Sequence, residues 1–252
     1  MAGQLGRQVS RNTLRTLLKQ AGLSWKKCKK LLTRGQPEQR AKFVEDFQQL
    51  YTRMCQEEVV VVYLDEVHVH PDMELGYTWS PVGGSRASPN DEPAWVPSTS
   101  PGLSARLNWY GAYNFTEGQC LLWQDGQCNG DNTIQFLQQL AHWLAGEQRP
   151  VFLIWDGASY HRSQPVRTVA TQLGFHLFPL PAYTPDLNPI EGLWKWLREE
   201  VTQLHCYPSL NALLLACQAF LDSINQNPLQ IISRLWPRFD LDPELEELRF
   251  SS

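Results

Sequence analysis

The sequence predicts an α/β protein built on a mixed sheet with helices on both faces, and three observations carry that prediction. Two short apolar runs, Val59–Leu64 and Val151–Trp155, read as strands buried on both sides. Between them, residues 106–115 and 119–124 carry strand signals and are joined by a Thr-Glu-Gly turn, the pattern of a hairpin. Helical periodicity follows at 131–145 and 163–173, then a short strand at 175–178 and a further helix. The order strand, hairpin, helix, strand, helix, strand, helix closes most simply as one sheet with helices on each face.

The bulk numbers agree with a folded core. Of 252 residues, 42% are hydrophobic and 19% charged, which excludes a disordered chain. No apolar run approaches the ~20 residues of a membrane span. The basic N-terminus lacks the apolar core of a secretory signal. Six cysteines are scattered with no C-x-x-C pair, which argues against zinc and disulfide scaffolds and fits a reducing cytosol. The net charge of -4 hides an asymmetry: residues 1–42 hold eleven Lys/Arg against one acid, and the rest of the chain is acidic. A basic head on an acidic body predicts a nucleic-acid arm joined to a different kind of machine, although basic helices are also common as solvated faces.

Taken in order, Ser10 caps a helix to about Gln20, with Leu14, Leu17 and Leu18 on one face. Gly22 ends it, and a second basic segment runs from Ser24 to Arg34. The pair is compatible with part of a helix-turn-helix, in which Arg11, Arg15, Lys19, Lys26, Lys27, Lys29 and Lys30 face phosphate. Pro37 starts a connector helix to about Glu58, with Phe43, Phe47, Leu50, Tyr51 and Met54 at helical spacing. The organisation expected is a partial helix-turn-helix over 1–36, the connector over 37–58, a catalytic domain over 59–228 and an acidic tail over 229–252. Residues 71–104, with six prolines and four glycines, form a long irregular excursion.

Asp65 ends the first buried strand, Asp156 ends the second, and Glu191 begins a helix after the third. In open α/β sheets, sites gather beyond the carboxyl ends of the strands. A close group of carboxylates is costly unless a cation or proton neutralises it. Hard oxygen ligands suit Mg²⁺ or Mn²⁺, and two such ions serve phosphodiester chemistry. Each acid also has an ordinary reading: Asp65 as a solvated strand end, Asp156-Gly157 as a turn, Glu191 as a capping box with Asn188. Asn188 is expected as N-cap, Pro189 as the first helical residue, and Glu191 as the third.

The element order matches a ribonuclease H-like layout. Leu64-Asp65-Glu66, then Trp155-Asp-Gly-Ala-Ser-Tyr-His161, then Tyr183-Thr-Pro-Asp-Leu-Asn-Pro-Ile-Glu-Gly-Leu-Trp194 resemble the three signatures of DDE transposases. The branch is that shared by the mariner superfamily and the bacterial insertion sequence 630 family. The 34 residues between Asp156 and Glu191 are that branch's spacing. The resemblance covers about 59–203, with a weaker echo at 8–35. It implies a retroviral-integrase-like fold, with Asp65, Asp156 and Glu191 as catalytic and metal-binding acids. It also implies cleavage of double-stranded DNA at the terminal inverted repeats of a mobile element and transfer of the freed 3′-hydroxyl into target DNA, by a homodimer, in a bacterial cytoplasm. The family carries a longer N-terminal part with two DNA-binding subdomains, of which only the end of the second is expected here. The long loop is expected as a dimer contact.

Three neighbours are candidate supports. Glu66 points to the sheet face opposite Asp65. His161 is placed to bond a metal ligand or phosphate, or to sit at a helix start. Lys195 is one turn beyond Glu191, where it pairs with that acid or approaches DNA. Asp186 is a rival third acid, set among turn-forming residues. Two other functions remain open at this level: a ribonuclease H-like nuclease without strand transfer, and a truncated DNA-binding regulator of a full-length transposase.

Overall fold

The computed structural model describes residues 10–22, 37–74 and 105–237. The chain divides into two compact units, residues 1–34 and 35–252. In the first, helix α1 spans Arg11–Gln20, and Ser10 caps it by accepting a hydrogen bond from the Thr13 amide at 3.1 Å. Leu14, Leu17 and Leu18 are exposed along one side of it. Arg15 and Lys19 are exposed. Lys26, Lys27, Lys29, Lys30 and the second basic segment lie outside the described residues.

The second unit begins with α2, Pro37–Cys55, followed by β1 (Val60–Val69), β2 (Leu107–Asn114) and β3 (Gln119–Asp125). Then come α3 (Gly130–Trp143), β4 (Val151–Trp155), α4 (Gln164–Gln172) and β5 (Phe175–Pro179). A 3-10 turn at Pro185–Leu187 leads into α5 (Ile190–Leu197), and α6 (Leu210–Asn225) and α7 (Pro228–Arg234) complete the unit. The five strands form one sheet in the order β3-β2-β1-β4-β5. β1, β2 and β3 are antiparallel neighbours, whereas β4 and β5 run parallel to β1.

The period-2 rule divides β1 between two cores. Val60, Val62 and Leu64 pack with Phe136, Leu137 and Leu140 of α3 and Val166 and Ala170 of α4. Val61 and Tyr63 pack on the other face with Phe43, Phe47, Leu50, Tyr51 and Met54 of α2 and with residues of α5, α6 and α7. A strand lined on both faces must be apolar throughout, and Val59–Leu64 is. All five residues expected to anchor the connector helix are buried.

Two local features differ from expectation. Ile231, Ile232 and Leu235 are buried against the core, so the packed fold continues through α7 into the segment expected as tail. The reason is the hairpin: Gly118, with φ +68°, sits against Pro228 and Ile232 so closely that a Cβ would lie 2.6 Å from the Pro228 carbonyl oxygen. Secondly, α5 begins at Ile190 with Pro189 in the cap position, and Asn188 does not cap it. The 3-10 turn holds Asn188 at φ -107° and ψ 94°, and only its backbone carbonyl meets the helix, accepting from the Glu191 amide at 3.2 Å. Glu191 is therefore the second helical residue.

Candidate active site

Strand parity decides where the acids go. Asp65 follows Val61 and Tyr63 on the α5 face, and Glu66 follows Val62 and Leu64 on the α3–α4 face. Asp156 leaves the end of β4, directly beside β1. The prolines of the 179–189 loop bring the start of α5 to the same edge, with the Leu180 amide bonded to the Trp155 carbonyl at 2.8 Å. Asp65, Asp156 and Glu191 thus line one cleft of about 490 Å³, together with Arg162, Tyr183, Thr184 and Asn188. Asp186 faces away, paired with Arg40 of α2 at 2.7 Å.

Each strand-end acid has its own support. The Trp194 indole N–H donates to Asp65 Oδ2 at 2.7 Å. The room for that indole is a missing side chain. Gly111 lies opposite Asp65 across the β1–β2 pairing, and a Cβ there would sit 2.1 Å from the Trp194 ring. Asp156 is held from the other side. His161 bonds Asp156 Oδ1 through Nδ1 at 2.8 Å and Glu66 Oε1 through Nε2 at 2.9 Å. The Tyr160 hydroxyl donates to Glu66 Oε2 at 3.2 Å, and the imidazole stacks on Trp155 with a centroid separation of 4.7 Å. Glu66 and His161 are brought into the site as a strut behind Asp156. Lys195 is not: its ammonium is exposed and reaches Glu199 at 3.5 Å, one turn further along the helix, in place of Glu191.

The two supports have opposite electrostatic results. Burial, and then repulsion from Glu191, push the Asp65 carboxyl up to about 8. Asp156 is held below the usual carboxylate range, chiefly by its hydrogen bond from His161. Burial works against a charged imidazole, but the bonds to Asp156 and Glu66 prevail and raise His161 to about 9. Burial also raises Glu191, with Arg198 lowering it and Asp156 raising it.

Among the described residues, no three acid, histidine or cysteine side chains yet converge to hold an ion. Asp65 Oδ2 is bonded to Trp194 and Asp156 Oδ1 to His161, which leaves one oxygen of each carboxylate outside these bonds. The donor set nonetheless suits a hard divalent cation. It offers carboxylate oxygens from three elements, and burial, then repulsion from Glu191, disfavours the ionised form of Asp65.

Sequence reasoning missed Arg162 and Gly111 as parts of this site, and it placed Tyr183 and Trp194 in the third signature without a role there. A glycine inside an apolar strand was a legible sign of close approach. The partner of that glycine was not legible.

A mixed sheet in this order, with acids at the carboxyl edge of its central strands, defines a ribonuclease H-like fold. Residues 60–214 match the family described as DDE superfamily endonuclease, and the chain belongs to that family. It is 24% identical over 229 residues to an insertion element IS630 uncharacterized 39 kDa protein of Shigella sonnei, covering 88% of this chain. The chain spans 62% of the length of that relative. In fold it is similar to the Mos1 strand transfer complex, with a TM-score of 0.68 at 18% identity over 99% of this chain and 71% of the other. It is also similar to the catalytic domain of Mos1 mariner transposase, with a TM-score of 0.52 at 16% identity over 85% of this chain and 100% of that domain.

Proposed function

We propose that this chain is the catalytic portion of a transposase that cuts double-stranded DNA at the terminal inverted repeats of a mobile element and joins the freed 3′-hydroxyl to target DNA. The observation that carries the reading is the gathering of Asp65, Asp156 and Glu191 from two strand ends and a helix start into one cleft. Membership of the DDE superfamily endonuclease family supports it. So do the fold relatives, described as Mos1 paired end complexes with Mn or Mg and as a strand transfer complex.

In this reading the three carboxylates are the catalytic acids and hold Mg²⁺ or Mn²⁺ as a pair of ions. When bound, such ions activate a water or 3′-hydroxyl and stabilise the leaving oxygen of a phosphodiester. The protein's own part is positional. Trp194 fixes one oxygen of Asp65, and His161, braced by Glu66, fixes one oxygen of Asp156. Arg162 at the cleft wall offers a cation to the incoming phosphate backbone. Arg15 and Lys19, four residues apart on α1, are exposed and serve as phosphate contacts, and Arg11 continues the same four-residue spacing in sequence. Lys26, Lys27, Lys29 and Lys30 extend the same basic segment in sequence. Synapsis of two DNA ends calls for a homodimer.

The test is cleavage and strand transfer on DNA carrying the element's ends, with Mg²⁺. The wild-type chain, supplied with pre-cut ends, is expected to join them to target DNA. Asp156→Asn is expected to do neither while keeping its fold by circular dichroism. Wild-type cleavage in that variant would overturn the catalytic assignment. Cleavage without joining would reduce the protein to a hydrolytic nuclease.

A further inference from the structure

Asn188 was expected to cap α5, and in the structure its side chain does not. It is only 5% exposed, and its Oδ1 is fully enclosed without a hydrogen-bond partner. A buried acceptor left unpaired costs roughly 1–3 kcal/mol, so such a group needs a reason. The backbone on either side is tied down: the Asn188 amide donates to the Pro185 carbonyl at 3.1 Å and its carbonyl accepts from Glu191 at 3.2 Å. Asn188 is thereby anchored by its backbone among the residues that line the cleft with Asp65, Asp156 and Glu191.

We propose that Asn188 Oδ1, closed to solvent as it stands, is brought by a turn of its side chain to serve as a neutral fourth oxygen of the cation site formed by the three acids. The inference rests on the function proposed above. The chemistry favours a carboxamide at this place. Asn carbonyl oxygens are ordinary ligands of hard divalent cations. A fourth carboxylate would add to the repulsion among three acids already gathered in one cleft, and a lysine would occupy the cation's place. A neutral oxygen escapes both costs, and the cation supplies the partner that Oδ1 lacks.

Mn²⁺ binding to the DNA-free full chain, measured by calorimetry, tests this without relying on catalysis. Asn188→Ala is expected to weaken Mn²⁺ binding roughly 10- to 100-fold, the usual effect of removing a supporting oxygen. Asn188→Asp keeps an oxygen and adds a charge, and is expected to bind as tightly as wild type or more tightly. Without metal, Asn188→Ala is expected to melt no lower than wild type, because no hydrogen bond is lost. Wild-type affinity in Asn188→Ala would overturn the proposal, and so would weaker binding in Asn188→Asp than in Asn188→Ala. A lower metal-free melting temperature for Asn188→Ala would assign Asn188 a structural role instead. Asp156→Asn is the control: if wild type binds no Mn²⁺ at all, the function proposed above fails with it, whereas binding lost in Asp156→Asn but kept in Asn188→Ala removes only Asn188.

Discussion

Asp65 and Asp156 end neighbouring parallel strands, yet the protein treats them oppositely. Asp65 is gripped from the hydrophobic core by a neutral indole N–H, whose bond does not offset burial and the nearby Glu191. Asp156 is gripped from a short loop by an imidazole that becomes a cation between two carboxylates. The first support gives position without charge compensation. The second gives both. Burial holds the first carboxyl toward its neutral form, and the bond from His161 holds the second toward its ionised form.

The largest break in this comparison comes from Gly111→Ala. Its methyl would collide with the Trp194 ring, so the variant is expected to lose about 1–3 kcal/mol of stability. It should also uncouple Asp65, with the bond from His161 to Asp156 unchanged. Chemical denaturation and the histidine NMR signals would check both halves. A variant as stable as wild type would mean that the indole has room to move.

His161→Ala breaks the other arm. It is expected to lower divalent-metal affinity about 10- to 100-fold, as loss of a group that orients a ligand usually does. Glu66→Gln, which keeps an acceptor for the imidazole, should cost less. Equal losses in the two variants would show that the charge on Glu66, not its hydrogen bond, holds the strut.

The pH dependence separates the arms without disturbing either. A carboxyl raised in the folded state contributes stability that is fully present below its unfolded value, near 4, and lost as pH rises through the folded value. For Asp65 that window runs from about 4 to about 8. Asp156, lowered, loses its contribution only as pH falls through its folded value, below the ordinary carboxylate range. His161, raised to about 9, contributes fully below about 6.5 and loses that contribution as pH rises through its folded value. In chelator, the melting temperature of wild type should fall between pH 5 and 8 more than that of Asp65→Asn. Parallel curves would remove Asp65 as the cause. The smallest effect is that of Lys195→Ala: an exposed i,i+4 pair with Glu199 is worth at most a few tenths of a kcal/mol, so stability should hardly change.

Much of this was legible in the sequence, for identifiable reasons. The strands of β1 and β4 announce themselves because burial on both faces forces unbroken apolar runs, and their ends fix two of the acids. The side of Glu66 followed from strand parity alone. What it touches did not, because His161 arrives from a loop 95 residues later. The cap at Asn188 failed because a local rule met a tertiary constraint: the 3-10 turn before it sets Asn188 at φ -107° and ψ 94°, and Pro189 takes the cap position. α7 escaped notice because seven residues carry too little periodicity, and its burial depends on a glycine in a distant hairpin.

The fit of Trp194 into the space above Gly111 also bears on when the three acids come together. The helix that carries the indole carries Glu191 three residues earlier, so docking α5 on β2 delivers the third acid and steadies the first in one event. A chain with α5 undocked lacks both at once. The cluster of three acids is thus complete only while α5 is seated on the sheet, and a partly unfolded copy holds no assembled set.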